Sequence, residues 1–291
     1  MRYLYQICGI QVVCEVSFEI HMQQESEEFL SITYKKIQGD LNIIFHPVDI
    51  LPVLSGKGHR ENDRLYIEKK EEKQIYHCPT RTLPPYACVT WLEGNPKTVR
   101  CDYVQGMESY MNYSHNICDL LGLETLLLEY EGLLLHASFI RWQGKGILFS
   151  APSGTGKSTQ ADLWVKYENA EILNGDRAGL RRLDGRWTSF GLPLAGSSCI
   201  YRNENAPVEA VIALRQGKEN RIRRLGPAEA FRFLYPEITV HQWDKQFVEK
   251  TSGLLLELLQ DVPVYLLECR PDREAVQLLR ETVLEETEKG N

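Results

Sequence analysis

No apolar run in the 291-residue chain approaches the roughly 18–20 residues that a membrane-spanning helix needs, so no bilayer partner is expected. A basic excess is missing too. Acidic side chains number 40 against 33 lysines and arginines, giving a net charge of −7. That balance argues against general nucleic-acid binding but leaves room for a local cationic pocket. The eight cysteines, at 8, 14, 78, 88, 101, 118, 199 and 269, never fall in C-x-x-C spacing and have no histidine cluster beside them. A zinc site is therefore not expected. The first fifteen residues lack a small-residue cleavage site, and acids follow at Glu15 and Glu19, unlike a secretory leader. Reduced thiols in a cytoplasmic protein are the expectation. There is also no Pro/Ser-rich linker, internal repeat or low-complexity tract.

What is there is an ordinary globular composition, 43% hydrophobic and 25% charged. The length suits one large domain or two unequal ones. Residues 1–105 read mainly as strands. Apolar runs at 3–7 and 11–16 flank Gly9, those at 65–67 and 74–76 flank a solvated charged run at 68–73, and those at 86–92 and 98–103 flank Gly94-Asn95-Pro96. Each reads as a hairpin. Ser55-Gly56-Lys57-Gly58-His59 reads as a surface turn, because its spacing does not fit a phosphate loop. Residues 107–121 suit a helix with Tyr110, Ser114, Ile117 and Leu121 on one face. A boundary near 120 is expected, giving a β-rich domain over 1–120 and a second domain over 121–291.

The second domain alternates strands and helices. Strands are expected at 133–141, 147–150, 170–173, 208–214 and 262–269, with helices at 157–167, 227–234, 247–260 and 271–286. Pro227 and Pro271 both suit a first helical turn, where the missing N–H costs nothing. The basic run 215–225 reads as a solvated hairpin. The fold class is α/β, or α+β with a mixed sheet.

The segment Ile147-Leu148-Phe149-Ser150-Ala151-Pro152-Ser153-Gly154-Thr155-Gly156-Lys157-Ser158-Thr159 carries the most information. A β-branched and aromatic strand precedes it and an amphipathic helix follows. Gly156, Lys157 and Ser158 match the G-x-x-x-x-G-K-[ST] pattern, and Ala151 stands where its first glycine would be. Gly154 and Gly156 permit positive φ, so that backbone N–H groups turn inward. Together with Ser153, Thr155 and Thr159 they form a cradle at a helix N-terminus, which holds anionic oxygens. Lys157 adds a point charge for the outer phosphates, and the Ser158 hydroxyl can hold Mg²⁺.

Three further groups stand around it. Asp176 ends an apolar strand-like run in Asn174-Gly175-Asp176-Arg177 and can hold Mg²⁺ or serve catalysis; the competing reading is an Asn-Gly turn. Strand alternation puts His136 and Ser138 on one face, leading by a hairpin into the phosphate loop. The loop 190–198 can shape an acceptor site, and Arg177, Arg202, Arg215 and Lys218 are candidate cations for transition-state charge.

The run Leu135-His136-Ala137-Ser138, a G-x-G turn, Ser153 to Thr159, then Leu173-Asn174-Gly175-Asp176 resembles the catalytic domain of HPr kinase/phosphorylase. The resemblance implies the phosphoenolpyruvate-carboxykinase-like mixed sheet. It also implies kinase activity with ATP and Mg²⁺ on a peptide, protein or small-molecule hydroxyl. It assigns Lys157 and Ser158 to phosphate and Mg²⁺, and places His136 near the phosphates. Relatives usually carry two adjacent acids where this chain reads Gly175-Asp176, and the absent one is the usual base. Asp176 alone, or His136, takes that role, or the protein binds ATP without transfer; a carboxykinase is the remaining alternative. The β-rich domain is expected to recognise the acceptor or mediate assembly, and a homo-oligomer remains open.

Overall fold

The computed structural model describes residues 1–33, 37–69, 73–92, 97–194, 196 and 198–289. The chain divides into two compact units, Met1–Leu123 and Glu124–Asn291. Among the described residues no helix is long and apolar enough to cross a membrane, and all eight cysteines are free thiols, only Cys199 being exposed.

The first unit is built on nine strands: β1 (Arg2–Ile7), β2 (Ile10–Glu15), β3 (Leu30–Ile32), β4 (Leu41–Val48), β5 (His59–Arg60), β6 (Leu65–Lys69), β7 (Lys73–His77), β8 (Ala87–Leu92) and β9 (Lys97–Val104). They form one sheet in the order β3-β1-β2-β4-β9-β8-β7-β6-β5. The three hairpins expected from the sequence, β1/β2, β6/β7 and β8/β9, all pair antiparallel. The turn at 94–96 and the tip at 70–72 lie outside the described residues. Glu68 departs from the solvated run assigned to it. It is 2% exposed, and its carboxylate accepts the Ser55 backbone N–H at 2.5 Å, because β6 turns that side chain inward. Residues 55–57 and 59 are exposed, as a surface turn requires. Helix α1 (Ser114–Leu121) buries Ser114, Ile117 and Leu121, but Tyr110 does not share its face. Extended backbone at Tyr113 separates the helix from a 3-10 turn, Glu108–Tyr110, that leaves Tyr110 exposed.

The second unit opens within α2 (Leu123–Glu129). Its elements are β10 (Gly132–Trp142), β11 (Lys145–Ser150), α3 (Lys157–Glu168), β12 (Glu171–Asn174), β13 (Arg177–Leu183), β14 (Arg186–Phe190), β15 (Asn205–Gln216), β16 (Arg221–Arg224), α4 (Pro227–Leu234), α5 (Lys245–Asp261), β17 (Val264–Cys269) and α6 (Arg273–Lys289). The sheet is mixed. Strand β10 pairs antiparallel with β13 along 132–136 and with β11 along 137–142. Strand β15 runs parallel to both β11 and β17. The β10–β11 turn places Gln143 and Gly144 both at positive φ, the geometry of a tight two-residue hairpin turn. That turn sends β11 directly into the glycine-bearing loop that precedes α3.

Two cores cover the sheet. One collects Leu133, Leu135, Phe139 and Leu148 with Leu234 of α4 and Leu255 and Leu258 of α5. The other packs Trp164 of α3 against Trp142 and Phe149, with Val276 and Leu279 of α6. Helix α3 buries Lys157, Gln160, Ala161 and Trp164, the three-and-four spacing that fixes which face meets the sheet.

Two expectations need correction, and the competing reading of Asn174-Gly175 fails. The Asn-Gly pair does not close a hairpin: β12 and β13 both lie along β10, and 175–176 bend between them. The basic run is not a hairpin either, since β16 pairs with β17, which lies between it and β15. Pro227 does take the first helical position of α4, but Pro271 precedes the cap of α6. Asp272 is that cap, its carboxylate accepting the Ala275 N–H at 3.0 Å.

Candidate functional site

Strand β11 ends at Ser150 and α3 begins at Lys157, so the intervening loop lies at the helix N-terminus. Gly154 (φ 79°) and Gly156 (φ 118°) both take the left-handed backbone expected of them. A Cβ at either would meet nothing within 4 Å, so backbone angle, not space, selects glycine there. Ala151 lies outside the left-handed region, so an alanine serves where the motif has its first glycine. Ser153, Gly154, Ser158 and Thr159 are exposed, and Thr155 and Gly156 half-buried, which leaves the cradle open.

Lys157 is 7% exposed, and its Nζ donates to the Ala151 carbonyl at 2.8 Å. Burial lowers its pKa, opposed by the carboxylates of Glu237 and Asp176, whose charges reach it.

Asp176 sits in the bend between β12 and β13. Buried Asn174 holds that bend: its Oδ1 accepts the N–H groups of Asp176 (2.9 Å) and Arg177 (3.0 Å). Its Nδ2 donates to the carbonyls of Leu192 (3.1 Å) and Leu194 (2.9 Å). The Ser138 hydroxyl, fully buried, donates to the Gly175 carbonyl at 2.9 Å, so Ser138 braces the bend rather than facing a ligand.

His136 comes from β10, and its Nε2 lies 3.7 Å from Asp176 Oδ1. Its Nδ1 lies 2.8 Å from Glu237 Oε2. Arg177 completes the group, with Nε 3.5 Å from Asp176 Oδ2 and Nη1 donating to Thr239 Oγ1 at 2.9 Å. Among the described residues no contact ties the side chains of the other candidate cations to this group, although the Arg202 N–H donates to Leu173 O at 2.9 Å. Arg215 pairs with Glu268 at 2.9 Å and covers the Phe233 ring, while Arg202 and Lys218 are exposed.

Glu237, Thr239 and His241 were not legible as site residues. They follow α4 on a segment that bridges β10 at Leu135–Ile238 and through the Thr239 N–H to Leu134 O. Glu237 holds His136, Thr239 holds Arg177, and His241 pairs with Glu124 at 3.0 Å. Burial opposes ionisation of Glu124, but the His241 hydrogen bond and the charges of His241 and Arg177 outweigh it and hold its pKa low. Ile238 and Val240 pack into the core between them. The signal was a short polar–apolar alternation, Glu-Ile-Thr-Val-His, at strand period.

The loop after β14 lies over the bend. A Cβ added to Gly175 would meet Ser198 Oγ at 2.0 Å, and one added to Gly196 would meet Asp176 Cβ at 2.7 Å. Position 175 therefore has no room for an acid while Ser198 stands where it does.

A family model described as ScmC, SynChlorMet cassette protein ScmC, matches residues 101–270. No curated protein matches the chain. A solved structure of the Hpr(Ser) kinase/phosphatase from Coxiella burnetii is similar at 14% identity, with a TM-score of 0.31, over 54% of this chain and 91% of that one.

Proposed function

The chain belongs to the ScmC family, and from that premise we propose that it is an ATP- and Mg²⁺-dependent kinase that transfers the γ-phosphate to a hydroxyl. What supports the reading is a glycine-bearing loop at a helix N-terminus with buried Lys157, beside a cluster in which His136 lies 3.7 Å from Asp176 and 2.8 Å from Glu237.

The loop fits a triphosphate. Its glycines take positive φ, its rim is open, and a lysine ammonium has three N–H groups, of which Ala151 O takes one. Lys157 would neutralise the outer phosphates. Among the described residues no three His, Cys, Asp or Glu side chains gather as a metal cage. Ser158 and Asp176 would hold Mg²⁺ with phosphate oxygens and water completing its shell, as is usual for this ion. Bound there, the ion would supply charge neutralisation as the phosphoryl group leaves.

The remaining work belongs to the chain's own side chains. Glu237 accepts the Nδ1–H of His136 and thereby aims Nε2 toward Asp176. Asp176 and His136 orient the acceptor hydroxyl and take its proton. Phosphoryl transfer through a loose transition state needs position and charge more than a strong base, so Gly175 does not preclude activity. Arg177 stabilises the developing negative charge. The acceptor class is a peptide or protein serine, or a small hydroxyl compound.

Ser198 packed over Gly175 favours a second reading, a protein that binds ATP without transferring its phosphate. One experiment separates the two. The protein is incubated with γ-labelled ATP, Mg²⁺ and a panel of serine peptides and small alcohols, with Lys157→Ala as control. Label in an acceptor above the control supports the kinase. ATP binding with no more transfer than the control, across the panel, supports the second reading.

A further inference from the structure

The loop after β14 is fastened to the bend at 175–176 from both sides. The Asn174 carboxamide holds its outgoing limb through Leu192 O (3.1 Å) and Leu194 O (2.9 Å). The returning limb is held by the Arg202 N–H, which donates to Leu173 O at 2.9 Å, and by a bridge between Tyr201 and Asn174. The Gly191 N–H donates to Glu204 O at 3.0 Å and closes the base of the loop.

The crown of the loop rests on Gly175 and Asp176. A Cβ added to Gly196 would lie 2.7 Å from Asp176 Cβ and 3.0 Å from its Oδ1. Ser198 Oγ would lie 2.0 Å from a Cβ on Gly175. The serine hydroxyl therefore stands one residue from the proposed acid, whose Oδ1 faces His136 Nε2 at 3.7 Å. A serine hydroxyl has one proton to donate and can also accept. That of Ser198 accepts the Ile200 N–H at 3.4 Å, and among the described residues no acceptor takes its proton. Ser198 is half-buried and Cys199 beside it exposed, so the crown also meets solvent.

The glycine-bearing loop starts close by. Ala137 of β10 pairs with Ser150, the last residue of β11, and its N–H donates to Asp176 O at 3.1 Å. Ser150 and Asp176 thus flank Ala137 on opposite edges of β10, about 10 Å apart at two strand spacings. The Ser150 hydroxyl donates to His136 O at 3.1 Å and ties the start of that loop to the strand that carries His136. Ser198, Asp176 and His136 are therefore held on one side of the loop proposed to carry the triphosphate.

We infer that Ser198 is an acceptor of the γ-phosphate within its own chain, a self-modification site. This rests on the kinase reading above. Ser198 Oγ attacks the γ-phosphorus, and the new Oγ–P bond forms as the bond from that phosphorus to the β,γ-bridging oxygen breaks. The electron pair of the broken bond leaves with ADP, and the hydroxyl proton passes to Asp176 or His136. An acceptor held in the chain makes the transfer unimolecular. The phosphate then stands beside the Asp176 carboxylate, where like charges repel, and this weakens the hold of the crown on the bend.

The test uses full-length protein with γ-labelled ATP and Mg²⁺ and no added acceptor. Label is counted per chain, and its position is read by mass spectrometry of the digested wild type. The inference expects one phosphate per chain, on Ser198, with a rate constant that holds over about a tenfold range of protein concentration. Ser198→Ala should take up no more label than Lys157→Ala; the mapping is made on the wild type and decides the matter whatever the fold of the variant. Phosphate on another residue, or a rate constant that rises with concentration, overturns the inference. So does a chain that stays unlabelled while it phosphorylates an added serine peptide or alcohol, and in that case the kinase reading stands. ATP binding with no label in the chain or in any acceptor overturns the kinase reading, and this inference falls with it.

Discussion

His136 Nδ1 lies 2.8 Å from Glu237 Oε2, a bond between residues 101 apart in sequence. The carboxyl side chain is only 9% exposed, so the pair is shielded from solvent on the glutamate side. A carboxylate at Nδ1 fixes the ring and selects which nitrogen faces the site.

Replacing Glu237 by Gln therefore removes charge from a bond that orients the proposed acid–base group. Phosphoryl transfer is expected to fall about tenfold or more, with the affinity for ATP within about twofold of wild type. Glu237→Ala is expected to fall further. Steady-state kinetics beside calorimetric binding check this. Equal losses in binding and turnover point to a folding role and contradict the assignment.

Position 175 offers a stability test. Gly175→Asp drives a side chain into Ser198 and is expected to cost about 1–3 kcal/mol, the usual cost of overpacking. Because the clash is with one side chain, Ser198→Gly should recover part of the loss in the double variant. Denaturant unfolding of the four proteins measures the coupling. Strictly additive effects would show that Ser198 is not what excludes the acid.

The glycine-bearing loop at 151–156, the strand into it and the helix after it were legible in the sequence because local rules decide them. Positive-φ glycines, a strand that ends in a turn, and a buried stripe at helical spacing need no distant partner. His136 and Asp176 were legible only as candidates, through their positions beside those elements. Glu237 was not legible at all, since its role depends on a segment after α4 returning to bridge β10 at Leu135. The Asn174-Gly175 pair carries a local hairpin signal, but the long β10 offers an edge to both β12 and β13.

Trp164 anchors α3 under the loop. It is fully buried, edge-on to Trp142 at 5.3 Å between ring centres. Trp164→Ala is expected to cost about 3–5 kcal/mol. Chemical denaturation should show the loss, and a change under 1 kcal/mol would contradict the packing role.

The first unit carries a pH signature. Burial lowers the pKa of His77 from 6.5 to about 4, although a hydrogen bond to Leu120 opposes the shift. Above pH 6.5 neither folded nor unfolded chain protonates this ring, and its contribution is complete. As pH falls from 6.5 toward 4 the unfolded chain takes up the proton first, and stability declines by about 3 kcal/mol. His77→Leu should flatten that part of the stability–pH curve. An unchanged slope would show that His77 is not its source.

The most direct test of the account is the binding of ATP in Mg²⁺, measured calorimetrically on wild type and on Lys157→Ala. Charge-assisted hydrogen bonds to phosphate are each worth about 1.5–3 kcal/mol. The account predicts binding by the wild type and about a ten- to hundredfold weakening in the variant. No binding by the wild type, or equal binding by both proteins, would contradict it.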